Sequence, residues 1–171
     1  MTRAFKAFAI AAALSAVTTL ACAADDDVGA IQMAYEPSII RLGNQGWYPL
    51  VVQLAAGWRG SRYWAVEAFA SPTLTIETAG KPGPDYFSSV VGLRGVGYLP
   101  VSDRWELMAK VGVASTTLNH SDAVGHVTIT DPVVGGGLMW HGGPHLSVGA
   151  NATWLTKSHT PMVGARLEWR L

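Results

Sequence analysis

Between Trp105 and Val113 the chain alternates with period two. Trp105, Leu107, Ala109, Val111 and Val113 fall on one side, and Glu106, Met108, Lys110 and Gly112 on the other. A strand sends successive side chains to opposite faces, so this spacing predicts a strand with one wholly apolar face. The same split recurs along the chain. Ile31, Met33 and Tyr35 oppose Gln32 and Glu36; Val52, Leu54, Ala56 and Trp58 oppose Gln53, Gly57 and Arg59. Trp64, Val66, Ala68 and Ala70 oppose Glu67 and Ser71; Phe87, Val91 and Leu93 oppose Ser88 and Arg94. Val134, Leu138 and Trp140 oppose Gly135, Gly137 and Met139, the least polar of the set. Leu146 to Trp154 and Val163 to Leu171 alternate in the same way, with Arg166 and Glu168 on the polar side of the last.

No charge and no amide falls on the apolar face of any of these segments. Alternation alone fits a soluble sandwich. The opposite face, however, is rich in Gly, Ala and Ser and holds isolated charges of both signs. Small residues and paired charges suit the narrow interior of a small barrel. Strands in lipid must also close on themselves to satisfy their backbone. The predicted fold is therefore all-β, an eight-stranded antiparallel up-and-down transmembrane β-barrel.

The connections alternate in length. Short ones run through Gly60-Ser61-Arg62, Pro100–Asp103 and His141–Pro144. The others span about Pro37–Pro49, Thr73–Asp85, Leu118–Asp131 and Thr156–Thr160. Short turns on the periplasmic side and longer loops outside are the rule for such barrels. Trp58, Trp64, Trp105, Trp140 and Trp169 share the apolar face and lie beside a short turn or near Leu171. They are expected to form a girdle at one membrane interface. Trp154 and Phe87 lie toward the long-loop end, as candidates for the other girdle, and Trp47 and Tyr48 of the first loop read the same way.

Composition agrees with a lipid-facing surface. Charged residues are only 14% of the chain, tryptophans number 7 and mean hydropathy is +0.23. Basic and acidic residues balance at 12 each, which gives no reason to expect a nucleic-acid partner. Some of the hydrophobicity belongs to the N-terminus. Arg3 and Lys6 precede the apolar run Phe8–Leu20, and small residues lead to Asp25, Asp26 and Asp27. This is the pattern of a cleaved secretory signal peptide over residues 1–24, with the barrel over 25–171. Cys22 is the single cysteine, and Thr19 stands where a lipidation box wants a large aliphatic residue. With it cleaved away, no thiol site or disulfide is expected.

At this level the chain resembles the OmpA-like and OmpX-like eight-stranded outer-membrane proteins. The hairpin Val52–Ser71, with Gly57-Trp58-Arg59 leading to Tyr63–Phe69, resembles their second hairpin. Tyr98–Trp105 followed by Ala109-Lys110-Val111-Gly112 resembles the turn between their fourth and fifth strands. Gly135-Gly136-Gly137 and Val163–Trp169 resemble their last hairpins. The resemblance implies residence in the bacterial outer membrane, reached through the periplasm. It implies contact with outer-membrane lipid and lipopolysaccharide, and handling by the barrel-assembly machinery, whose signal Gly164, Leu167 and Trp169 resemble.

Candidate chemistry lies inside. Glu36, Arg59, Glu67, Arg94, Glu106, Lys110, Arg166 and Glu168 all fall on the polar face. Buried charges must pair or be hydrated, so the expectation is a narrow polar interior plugged by salt bridges. A polar path for ions or small solutes is the alternative, and recognition of a surface ligand by the loops is another. No metal site or cofactor is expected. His120, His126, His141 and His145 lack a fixed acidic or thiol partner. An enzyme is not expected either. His120-Ser121 and Ser158-His159 are sequence neighbours, and adjacent strand residues point apart rather than forming a nucleophile–base pair.

Overall fold

The computed structural model describes residues 29–40, 50–72, 85–120 and 126–171. The side chains of 72, 85–88, 118–120, 126 and 127 lie outside that description. So do the proposed signal peptide, Trp47, Tyr48, the Phe87 ring and Ser121.

Eight strands form one closed antiparallel barrel in sequence order. They are β1 (Ala30–Ile40), β2 (Leu50–Ser61), β3 (Trp64–Pro72), β4 (Asp85–Pro100), β5 (Trp105–His120), β6 (His126–His141), β7 (Leu146–Leu155) and β8 (Thr160–Arg170). The ring closes where β1 meets β8, with Met33 opposite Trp169 and Ile39 opposite Val163. Among the described residues the barrel therefore has no free sheet edge, the arrangement that a strand needs in hydrocarbon.

The phase of the alternation is as the sequence predicts. Leu54, Trp58, Val66, Leu93, Leu107, Val111, Leu138, Trp154 and Val163 are exposed on the outer surface. Gln32, Glu36, Arg59, Glu67, Arg94, Lys110, Arg166 and Glu168 are buried. Ile31 is the exception, facing the apolar side yet only 5% exposed.

One expectation needs correction. Leu118–Asp131 is not a long loop. Leu118–His120 and His126–Asp131 continue the β5–β6 hairpin, with Leu118 opposite Val127 and Thr116 opposite Ile129. β-Branched residues at Thr116, Thr117, Val127, Thr128, Ile129 and Thr130 favour extended pairing beyond the rest of the barrel. Only residues 121–125 separate the two strands. β1 likewise runs on through Pro37–Ile40, placed in the first loop on sequence grounds.

The β2–β3 hairpin contains a bulge at Gly60, because Arg59 pairs with Ala65 and Ser61 with Trp64. A side chain at Gly60 would overlap the Trp64 ring and come within 2.8 Å of the Trp58 ring. Its absence lets Trp58 and Trp64 meet edge-on, with centroids 5.1 Å apart at 75°.

Candidate functional site

The lumen is built in layers. Toward the long-loop end lies an apolar cluster of Ile40, Val51, Phe69, Val90, Val133, Leu155 and Met162 with Ala34, Ala55 and Ala114. Composition hid this layer because each large member sits beside a second apolar residue that faces out. Ile39 is 51% exposed and Ile40 is 0%; Val134 is 44% exposed and Val133 is 0%. Val51-Val52, Val90-Val91, Trp154-Leu155 and Met162-Val163 repeat the motif. An apolar doublet at the same end of several strands is thus the sequence signal of an inward cap, and the alternation argument passes over it.

Below the cap lies a charge layer. Arg94 on β4 donates through Nη2 to Glu36 Oε1 at 2.6 Å and through Nε to Glu67 Oε2 at 2.7 Å. Its Nη1 reaches Gln53 Oε1 at 2.9 Å. Lys110 Nζ donates to Glu36 Oε1 at 2.9 Å and to Asn151 Oδ1 at 3.2 Å. Arg166 on β8 pairs with Glu36 and Glu67 and donates to Glu168 Oε2 at 2.8 Å. Gln32 Nε2 donates to Glu67 Oε1 at 2.5 Å and to Tyr98 Oη at 3.1 Å. Every ionised group here has an opposite charge in hydrogen-bond range, which offsets the cost of removing it from water.

Small inward residues make this crowding feasible. A Cβ on Gly112 would lie 2.7 Å from Arg94 Cα and Cβ, and one on Gly57 would lie 2.8 Å from Glu67 Cα. The glycines beside the charges are therefore spaces for neighbouring side chains.

Toward the short turns, Tyr98, Met108, Met139, Ala65 and Val96 form a second apolar cluster. Arg59 stacks over the Tyr98 ring at 3.9 Å. It also donates to Glu106 at 3.3 Å and Glu168 at 3.5 Å. Arg170 Nη2 reaches Glu106 at 3.5 Å and its Nε reaches Glu168 at 3.5 Å. His141 bridges β5 and β7: Nε2 lies 3.1 Å from Glu106 Oε2, and Nδ1 shares a 2.8 Å hydrogen bond with Ser147 Oγ. Beyond this floor the mouth opens into a recess of about 940 Å³.

All eight expected charges are thus buried and joined through these contacts. Arg170, His141, Tyr98, Gln32, Gln53 and Asn151 join them, from outside the set of charges expected to fill the interior. Each shares the inward phase of its strand, and that was the available signal. His141, read as a turn histidine, ends β6 facing the lumen. Ser147–His141–Glu106 forms a hydrogen-bonded row, but Ser147 is 1% exposed, so the row reads as a strut between strands. Of the sequence-adjacent pairs, Ser158 and His159 sit in the β7–β8 turn, with His159 at φ 52°. His120 has no described side chain. Among the described residues no group of three or more His, Cys, Asp or Glu is placed to hold a metal ion.

The tryptophans remain on the outside. Trp58, Trp64, Trp105, Trp140 and Trp169 flank the short-turn end, and Trp154 lies near the opposite end, 51% exposed.

Solved structures with this arrangement exist. The N-terminal β-barrel domain of Pseudomonas aeruginosa OprF superposes with a TM-score of 0.64 at 10% identity, over 85% of this chain and all (100%) of that one. The fold is that of the OmpA- and OmpX-like eight-stranded outer-membrane β-barrels. Neisserial surface protein A matches this barrel with a TM-score of 0.58 at 10% identity, over 83% of this chain and 96% of that one. A de novo designed transmembrane β-barrel matches at 0.59 and 13% identity, over 86% of this chain and 100% of that one. No protein-family model and no curated protein matches the sequence. At these identities the likeness extends to the barrel fold alone.

Proposed function

We propose that this chain is an integral protein of the bacterial outer membrane with a structural or surface-exposed role and a sealed lumen. The observation that carries the reading is the separation of the two faces of every strand. A largely apolar exterior, bearing tryptophans toward both ends, surrounds an interior in which the eight clustered charges are ion-paired and Asp131 is held by backbone amides. In water such an exterior would be an aggregation surface; in a bilayer it is the solvent-matched one.

In this reading residues 1–24 are a signal peptide removed after export and residues 25–171 are the mature barrel. The short turns face the periplasm and the long loops face outward. Membrane lipid and lipopolysaccharide contact the exterior, and the barrel-assembly machinery inserts it. The chain is not an enzyme. A barrel made by design carries the same fold, so the fold by itself implies no ligand.

Two layers support a sealed lumen over a pore. The ion-paired layer fills the middle, and the apolar cap of Ile40, Val90, Val133 and Leu155 lies above it. The cap's apolar side chains offer a crossing ion little in place of its hydration, and the buried carboxylate at that end, Asp131, is taken up by the Lys157 and Ser158 amides.

Heat-modifiability tests the barrel, and bilayer conductance tests the seal. The folded chain is expected to migrate differently on SDS gels before and after boiling, with a strand-rich far-UV spectrum. Solubility without detergent and no mobility shift would reject a membrane barrel. Planar bilayers holding wild type, Arg94→Gln or Glu106→Gln are expected to stay silent. Steady conductance steps in wild type would reject the seal.

A further inference from the structure

The recess at the short-turn end has a composition that plugging does not use. It is lined by Arg59, Arg62, Arg104 and Arg170 against two carboxylates, Asp103 and Glu106, with His141 and the backbone of the Gly142-Gly143 turn. Its floor is already balanced, because Arg59 and Arg170 engage Glu106 and Glu168. The rim then carries Arg62 and Arg104 against Asp103, an excess of one positive charge, with all three side chains exposed.

The rim is held in place by the floor. Arg59 Nη2 donates to the Arg62 carbonyl at 2.9 Å and its Nε donates to the Ser61 carbonyl at 3.3 Å. The His141 amide donates to the Arg104 carbonyl at 2.8 Å. Val101 and Ser102 amides both turn back onto the Trp105 carbonyl, at 2.8 and 3.1 Å. The backbones that carry the two rim guanidinium groups, of which that of Arg62 lies over the Tyr63 ring at 5.3 Å, are thus tied to a buried residue and to the end of β6. Positioning of this kind lowers the ordering cost of a bound ligand. A volume of about 940 Å³ accepts a small molecule, and planar guanidinium forks match phosphate and carboxylate oxygens.

We propose that the short-turn vestibule is a binding site for a small polyanion, phosphorylated or multiply carboxylated, held between Arg62 and Arg104 above the Arg59–Glu106–Arg170 floor. Two sources supply that chemistry: a soluble anion, or this chain's own carboxylates. Asp25, Asp26 and Asp27 lie in the sequence ahead of Val28 and Gly29, and the Gly29 amide, one residue before β1, bonds the Arg59 carbonyl at 2.9 Å.

The test is titration of the detergent-folded chain with inorganic pyrophosphate at low ionic strength, followed by calorimetry and by amide chemical shifts of the short turns. Saturable binding is expected, with shifts confined to 61–64, 100–105 and 141–146. Arg62→Gln combined with Arg104→Gln is expected to weaken it at least tenfold. Both side chains are exposed, and heat-modifiability verifies that the double variant still folds. An Asp25→Asn, Asp26→Asn, Asp27→Asn variant separates the sources. Tighter pyrophosphate binding in it means that the chain's own carboxylates occupy the site, and unchanged binding means a soluble anion; either supports the site. Absence of saturation, or equal affinity in the Arg62/Arg104 double variant, overturns the proposal.

Discussion

Lys110 Nζ and Glu36 Oε1 meet at 2.9 Å across the full width of the barrel. Their strands, β5 and β1, lie four apart in either direction round the ring, so this ion pair ties opposite walls together. Glu36 also receives Arg94 and Arg166, whereas Lys110 has Glu36 and the Asn151 carbonyl oxygen. Glu36 is therefore the hub and Lys110 a spoke.

That asymmetry predicts unequal costs. Glu36→Gln leaves three cations around a neutral amide, and is expected to destabilise the barrel by about 3–5 kcal/mol, the usual result of breaking a buried pair. Lys110→Met removes the ion and its desolvation together and is expected to cost less. Urea unfolding in lipid vesicles, followed by tryptophan fluorescence, ranks the two; an equal or reversed order would refute the hub.

Gly60 is the hinge of the tryptophan pair on the β2–β3 hairpin. A methyl group there overlaps the Trp64 ring and crowds that of Trp58. Gly60→Ala is expected to separate the rings, abolish their coupled near-UV circular dichroism, and cost about 1–3 kcal/mol through overpacking. An unaltered near-UV spectrum would show that the hairpin absorbs the change elsewhere.

Asp131 is buried at the long-loop end, away from the charge layer. Its Oδ1 accepts the Lys157 amide at 2.6 Å and the Ser158 amide at 3.2 Å, so a residue of β6 shapes the turn between β7 and β8. Asp131→Ala is expected to cost about 1.5–3 kcal/mol, as for hydrogen bonds to a charged acceptor. Amide hydrogen exchange at Lys157 and Ser158 is expected to accelerate while β5 remains protected. Unchanged exchange at those two amides would mean that the turn holds itself.

The outward tryptophans predict two depths in one leaflet order. Single-tryptophan versions retaining Trp58, Trp64, Trp105, Trp140 or Trp169 are expected to respond alike to brominated lipids placed in the leaflet at the short-turn end. Trp154 is expected to respond to the opposite leaflet. Quenching of Trp154 together with the other five would remove the two-interface reading.

What sequence alone determined is the direction of each side chain. Period two follows from backbone geometry, and an amide or charge in lipid is too costly to tolerate, so Glu36, Arg59, Glu67, Arg94, Glu106, Lys110, Arg166 and Glu168 were readable as inward without coordinates. The number of strands and their antiparallel order followed from the same repeats. Which charges meet was not readable. Glu36 and Lys110 stand 74 residues apart, and their contact depends on the closure and stagger of the whole ring, to which no local segment refers. The apolar cap was also hidden, because Ile39-Ile40 and Val133-Val134 place equal hydrophobicity on both faces and only the barrel distinguishes lumen from lipid. Likewise the vestibule exists only where three short turns and the end of β8 converge, as a product of tertiary closure rather than of any one stretch of chain.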